Sequence, residues 1–311
     1  MTAETVRLSG VTKRYGKAEA VRDVSFALPA GQCAALVGHN GAGKTTLIKL
    51  MLGLIRPSAG GIRVLGEDPA AGAFAARRRL GYLPENVSFD AALTGRETLA
   101  FYARLKREPV AKVAALLDRV GLGAAAARRV GTYSKGMRQR LGLAQALLGE
   151  PRVLLLDEPT TGLDPEVRQS FYGIIEELRG RGATVLLSSH ALTELEDRAE
   201  RVVIMNRGVL VADGSLGELR RLARLPVRLR VTSGNGTFAG APPDWLGPVE
   251  GWRRLDDGRA AEIACAGEAK MAVLRRLAEA GPGRVSDLDV VPPTLDELYA
   301  HFLRSQEAPA P

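Results

Sequence analysis

Eight consecutive residues, Gly38-His-Asn-Gly-Ala-Gly-Lys-Thr45, constrain this chain more than any other segment. Their spacing is G-x-x-x-x-G-K-T. The run Cys33 to Val37 before them is apolar throughout and reads as a buried strand. Thr46 to Leu54 after them has helical apolar spacing. Strand before and helix after is the context this motif requires. The glycines let the backbone curl so that several N–H groups face phosphate oxygens. The helix adds the positive end of its dipole. Lys44 can reach the β- and γ-phosphates of a nucleotide, and the Thr45 hydroxyl can ligate Mg²⁺. Gly38, Asn40, Gly41, Ala42, Gly43 and Thr46 complete the cradle. His39 sits in a variable slot and reads as a loop residue contributing backbone alone.

Such a site also needs an acid for the ion and a group for water. Val153-Leu-Leu-Leu-Asp157-Glu158 offers both at the end of a second buried run. Asp157 would hold Mg²⁺ through its water shell. Glu158 would accept a proton from the attacking water, or orient it. Around these segments strand and helix patterns alternate. Val6 to Leu8 and Val21 to Leu28 read as short strands about a turn at Gly16, and Ile62 to Leu65 as a strand. Glu97 to Arg107, Val110 to Val120, Lys135 to Gly149 and Glu166 to Arg179 have helical spacing. Thr184 to Leu187 is a strand, Leu192 to Ala199 helical, and Val202 to Met205 with Val209 to Ala212 a hairpin. The alternation predicts an α/β fold with a parallel sheet covered by helices.

Charge divides the chain. Residues 1–226 hold 33 basic and 23 acidic residues, against 10 and 12 in residues 227–311. This predicts two domains, 1–225 and 226–311. The overall charge of +8 leaves nucleotide, nucleic acid or a membrane surface open as partners. The two cysteines, Cys33 and Cys265, are far apart and lack metal-ligand spacing, which argues against a disulfide framework and for a reducing cytoplasm. No apolar run is long enough to span a membrane, and Met1 to Arg7 has no signal-peptide core.

Further landmarks make a resemblance specific. Tyr133-Ser-Lys-Gly-Met137 is similar to the L-S-G-G-Q signature of ATP-binding-cassette (ABC) proteins. Gly162-Leu-Asp164 is similar to their D-loop, Ser188-Ser-His190 to their switch histidine, and Tyr15 to the aromatic residue that stacks on adenine. The landmarks occur in the family's order over residues 4 to 220. The resemblance implies a P-loop NTPase fold: a RecA-like core, an antiparallel β subdomain and a helical subdomain. It implies ATP and Mg²⁺ as cofactors. It implies a head-to-tail homodimer in which Ser134, Lys135, Gly136 and Asp164 meet the partner's ATP. It assigns His190 to the γ-phosphate and water. Ser134 can also serve simply as the cap of the helix starting near Lys135.

Departures mark a subgroup. Glu85, in Gly81-Tyr-Leu-Pro-Glu-Asn86, stands where the family has a Gln that contacts Mg²⁺ and water. A glutamate keeps the metal contact but offers water acceptors only. Gly81 to Ser88, Leu93 to Leu99, Phe101 to Lys106 and Thr132 to Pro151 resemble the ATPase of the nitrous oxide reductase copper-site maturation system. Pro293-Thr-Leu-Asp-Glu-Leu-Tyr299 adds to that match. This narrower resemblance, to NosF, implies a separate polytopic membrane subunit (NosY-like) and through it a periplasmic protein (NosD-like). It implies a sulfur or copper related cargo and a peripheral location on the cytoplasmic face of the inner membrane. The alternatives are another exporter, of a drug, lipid or polysaccharide, or a soluble ABC protein acting on ribosomes or DNA. The soluble class carries paired cassettes or long insertions, which this chain lacks, so no nucleic-acid partner is expected. Arg77-Arg-Arg79 reads as a solvated helix face just before the coupling surface at Glu85, with contact to lipid head groups or the membrane partner as the alternative.

Residues 226–311 predict a small α+β domain. Val227 to Val231, Ala261 to Ala264 and Val285 to Val291 read as strands, and Lys270 to Ala280 as an amphipathic helix. Thr294 and Glu297 form a capping box before a helix carrying Tyr299 and Phe302 as core residues. The last four residues, 308–311, read as a frayed tail.

Overall fold

A computed structural model describes residues 3–72 and 74–307; the expected frayed tail lies outside them. The contacts divide the chain into two compact units between Ser215 and Leu216. The helix Leu216–Ala223 therefore joins the C-terminal unit, whereas the charge boundary had placed it with the first.

The first unit runs β1 (Glu4–Tyr15), β2 (Ala18–Pro29), β3 (Cys33–Val37), α1 (Lys44–Met51), β4 (Ala59–Val64), α2 (Phe74–Arg78), β5 (Leu80–Leu83), α3 (Gly95–Lys106), α4 (Val113–Arg119), α5 (Lys135–Leu147), β6 (Val153–Asp157), α6 (Pro165–Gly180), β7 (Thr184–Ser188), β8 (Arg201–Asn206) and β9 (Val209–Gly214). Its main sheet has the order β5-β6-β7-β3-β8-β9. All its pairs are parallel except the β8–β9 hairpin. The strands β3, β6 and β7 are buried at every position, as expected of parallel strands covered on both faces. A second, antiparallel sheet has the order β2-β1-β4. The helix α3 packs on α4 and α5 as a helical layer. The three parts are those of a RecA-like core with β and helical subdomains.

Three local readings change. The strands β1 and β2 run to 12 residues each. Register shifts carry their ladder through polar positions where the apolar alternation breaks. Leu192 to Ala199 is one 3₁₀ turn, Leu192–Glu194, followed by turns. Directly after these turns Glu200 N bonds Cys33 O at the start of β3, and the chain enters β8. The strand β5 was hidden by its glycine. A Cβ at Gly81 would lie 2.3 Å from Ala146 O, so this buried strand admits no side chain there.

The second unit comprises α7 (Leu216–Ala223), β10 (Val227–Ser233), β11 (Trp252–Leu255), β12 (Ala260–Cys265), α8 (Lys270–Glu279), β13 (Val285–Val291) and α9 (Leu295–Glu307). Its antiparallel sheet has the order β11-β12-β10-β13. Leu229, Val231, Ile263, Val273 and Leu277 form its core between sheet and α8. The capping box is present: Thr294 N donates to Glu297 Oε2 at 2.9 Å, and Glu297 N to Thr294 Oγ1 at 3.3 Å. Tyr299 and Phe302 are half-buried.

Candidate active site

The loop after β3, with the start of α1, forms one wall of a cavity of about 830 Å³. Gly38, Asn40, Gly41, Ala42, Gly43, Lys44, Thr45 and Thr46 all line it. Gly43 is obligatory: its φ is +101°, and a Cβ would lie 2.6 Å from Ala20 O. Lys44 is buried and donates to Gly38 O and His39 O, so its ammonium lies folded across the mouth of its own loop. Tyr15 lines the same cavity, half exposed, with Lys13 Nζ 5.1 Å from its ring centre.

The opposite wall is set by strand register. The strands β6 and β7 are parallel, with Asp157 paired to Ser188, so their last side chains stand side by side. Asp157 is buried and accepts from Thr45 Oγ1 at 2.8 Å and from Ser188 Oγ at 2.6 Å. Ser188 Oγ in turn accepts the Glu158 N–H at 3.0 Å. Glu158 has φ +49°, a strained value for a non-glycine residue, and its side chain is 10 % exposed. His190 Nδ1 donates to Glu158 Oε2 at 2.7 Å, which leaves Nε2 toward solvent on a side chain 68 % exposed. Glu85 lines the cavity from the loop after β5. Burial and the Asp157 carboxylate push the neighbouring Tyr82 hydroxyl up to about 12, so it stays neutral.

Thr45, Asp157 and Glu85 offer a hydroxyl and two carboxylates at one cavity, the hard oxygen donors that Mg²⁺ prefers. These residues fit the ion.

The remaining expected residues lie outside this cavity. Ser134 Oγ accepts the Met137 N–H at 3.2 Å and caps α5. Asp164 caps α6 in the same way, through Val167 N at 2.9 Å. The Lys135 side chain lies over Gly162, where an added Cβ would be 3.3 Å from its Nζ. Tyr133 is buried and donates its hydroxyl to Ala125 O, and Arg138 Nη1 donates to Tyr133 O, which together anchor the loop before α5. Tyr133 in place of leucine is therefore a structural anchor.

Three features escaped the sequence reading. Ser188 links Asp157 to Glu158, as above. His39 is no mere backbone contributor: its Nδ1 meets Asn40 O at 2.6 Å and its Nε2 meets Asn206 Oδ1 at 2.8 Å. This ties the phosphate loop to the end of β8. Finally, Glu194 receives Arg168 Nη1, Thr160 Oγ1 and Tyr172 OH, while Arg168 Nη2 donates to Leu163 O at 3.2 Å. The segment after His190 is thereby joined to the Gly162-Leu-Asp164 loop. Such links depend on distant strands meeting, and no local pattern announces them.

These features define an ATP-hydrolysing nucleotide-binding domain. A family described as "ABC transporter" matches residues 21–161. The daunorubicin resistance ATP-binding protein DrrA3 of Streptomyces coeruleorubidus is 37% identical over 309 residues, covering 97% of this chain and 96% of that protein. The Nod factor export ATP-binding protein I of Burkholderia orbicola is 39% identical over 219 residues, 69% of this chain and 72% of that protein. A solved ATP-binding subunit of an ABC transporter superposes with a TM-score of 0.67 at 32% identity, covering 70% of this chain and 92% of that one. The chain belongs to the ABC transporter family as an ATP-binding subunit, an ATPase that uses ATP with Mg²⁺. Among the described residues no helix is long and apolar enough to cross a membrane.

Proposed function

We propose that this chain is one of two identical motor subunits that power a separate polytopic membrane subunit, at the cytoplasmic face of the membrane, for export. The observation that carries this reading is the hydrogen-bonded series Thr45, Asp157, Ser188, Glu158 and His190 closing over the phosphate loop. In it Lys44 exchanges its two carbonyl partners for the β- and γ-phosphates. Thr45, Asp157 and Glu85 would hold Mg²⁺, and Glu85 would also serve the attacking water. When bound, that ion neutralises charge on the phosphate oxygens. Glu158 takes the water's proton, and His190 orients the carboxylate and faces the γ-phosphate through Nε2. Tyr15 stacks on adenine. Ser134, Lys135, Gly136 and Asp164 serve the partner's nucleotide. Pull-down of the tagged chain from detergent-solubilised membranes tests the reading: a polytopic subunit should come with it, and recovery of soluble proteins alone would refute it.

For the cargo, similarity along nearly the whole chain to a daunorubicin resistance protein supports a drug-like amphipathic compound. The NosF-like reading, with NosY- and NosD-like partners and a sulfur or copper related cargo, is supported by the runs at 81–88, 93–99, 101–106 and 132–151. Loss of the gene separates the two. Sensitisation to anthracyclines with normal nitrous oxide reduction supports the first, and the reverse supports the second.

A further inference from the structure

The carbonyls of the phosphate loop differ in what holds them. Lys44 takes Gly38 O and His39 O. Main-chain donors take Ala42 O, from Gly208 N at 3.0 Å, and Gly43 O, from Leu47 N at 2.9 Å. Asn40 O is held by another side chain, the His39 ring, through Nδ1 at 2.6 Å. A carbonyl oxygen only accepts, so Nδ1 carries the hydrogen. The other ring nitrogen, Nε2, meets Asn206 Oδ1 at 2.8 Å, and Asn206 is buried at the end of β8. The ring is thus fixed at both nitrogens, although His39 is exposed and lines the nucleotide cavity. The direction of the Asn40 carbonyl sets the direction of an N–H. No peptide bond among the described residues is cis, and in a trans peptide C=O and N–H point opposite ways. Asn40 O turned to the His39 ring therefore turns the Gly41 N–H away from it. Gly41 lines the cavity at φ +83°, and its N–H meets no acceptor among the described residues. A free N–H on a left-handed glycine is an element of an anion-binding nest.

We propose that His39 is a positioning residue for the nucleotide: its ring holds the Asn40–Gly41 peptide so that the Gly41 N–H is kept for phosphate. This rests on the reading of the loop as an ATP site. In that reading Lys44 leaves Gly38 O and His39 O for the phosphates, and the loop gives up the brace it has when empty. The two bonds of the His39 ring use no group that the phosphates require, so they persist through the exchange. A cradle shaped in advance has less to order when the nucleotide arrives. The same hold acts before and during the chemical step, so it raises affinity and leaves the rate at saturation alone.

Steady-state turnover of the full chain, with titration of the non-hydrolysable β,γ-imido analogue of ATP and Mg²⁺, tests this. His39→Phe fills the volume of the ring without its hydrogen bonds. Analogue affinity should fall about tenfold and KM for ATP rise by a similar factor, with kcat within about twofold of native. His39→Gln, whose amide N–H can reach the Asn40 carbonyl, should recover most of that affinity. Native affinity in folded His39→Phe would overturn the proposal. So would equal losses in the two variants, since the hydrogen bond would then not be the cause. A fall in kcat with KM unchanged would overturn the split between affinity and rate. Lys44→Ala separates this from the reading beneath it. Retained affinity in Lys44→Ala would refute the phosphate loop itself, whereas its loss beside native affinity in His39→Phe would refute the role of His39 alone.

Discussion

The phosphate-loop region and the signature region are built from the same materials and end in different states. Both place a helix start at the surface of the first unit. At α1 that start faces a cavity completed within the chain by the ends of β6 and β7. At α5 the start is capped by its own Ser134, and Ser134, Lys135 and Gly136 contribute nothing to that cavity. One region is a pocket; the other is a face that closes nothing by itself. A chain with such a pocket and such a face is suited to pair head to tail with its copy, since each face can then complete the other chain's pocket.

The largest effect should come from Glu158, the carboxylate proposed as the base. Glu158→Gln keeps the shape and the acceptor for His190 but removes the base, and turnover should fall about 1000-fold while ATP still binds. A steady-state phosphate-release assay beside an ATP-binding titration reads both. Unchanged turnover would remove Glu158 from the base role. Next, Lys44→Ala removes the buried ammonium proposed to meet phosphate, and ATP affinity should fall about 100-fold.

The comparison itself is broken or sharpened by mixing variants. Ser134→Arg should leave ATP binding to the single chain intact and abolish turnover. Lys44→Ala is inactive for the opposite reason. If each face completes the other chain's pocket, mixing the two inactive proteins should restore about a quarter of native activity, because half the dimers carry one intact site. No recovery on mixing, with both proteins folded, would refute the paired arrangement.

How far the site was legible follows from the same contrast. The phosphate loop, Asp157 and Glu158 were readable because each sits at the end of a short, fully apolar run, where a change of chemistry is abrupt. The cavity brings together Tyr15, Glu85, Asp157, Glu158 and His190 with the loop, as their order along the chain suggested. What stayed hidden needed tertiary register. Ser188 works only because β6 and β7 are parallel in this alignment. Glu194 lies in a stretch, Leu192 to Ala199, whose spacing read as helical, and only the one 3₁₀ turn Leu192–Glu194 forms there. In the second unit, β11 carries two arginines in four residues on an edge strand, so no apolar alternation betrayed it.

The Arg168–Glu194 pair offers a smaller, more selective test, since it connects the Gly162-Leu-Asp164 loop to the segment after His190. Glu194→Ala should cut turnover about tenfold with little change in ATP affinity, and Arg168→Ala should do the same. The reciprocal exchange, Arg168→Glu with Glu194→Arg, should recover part of the loss. Additive losses in the exchanged protein would show that the two residues act separately.

The smallest effect concerns the far end of β3, the strand that feeds the phosphate loop. Cys33 opens that strand, 2 % exposed, and burial, reinforced by Glu200, pushes its thiol from 9.0 up to about 12. Burial likewise raises the hydroxyls of Tyr82 and Tyr172 to about 12. In each case the folded chain holds a proton that the unfolded chain gives up earlier. The stability tied to these groups is full below pH 9 and is lost as pH rises toward 12. For Cys33 the loss approaches about 1.4 kcal/mol per pH unit within that window, and the tyrosines add to it above pH 10. Cys33→Ala should therefore make the decline between pH 9 and 12 shallower, read by denaturant unfolding at each pH. Turnover at pH 7 should hardly change, because the thiol lies at the end of β3 opposite the loop and is neutral there. A variant as steep as the native chain would remove Cys33 as a source of the alkaline loss. A variant that lost turnover at pH 7 would show that the two ends of β3 are not independent.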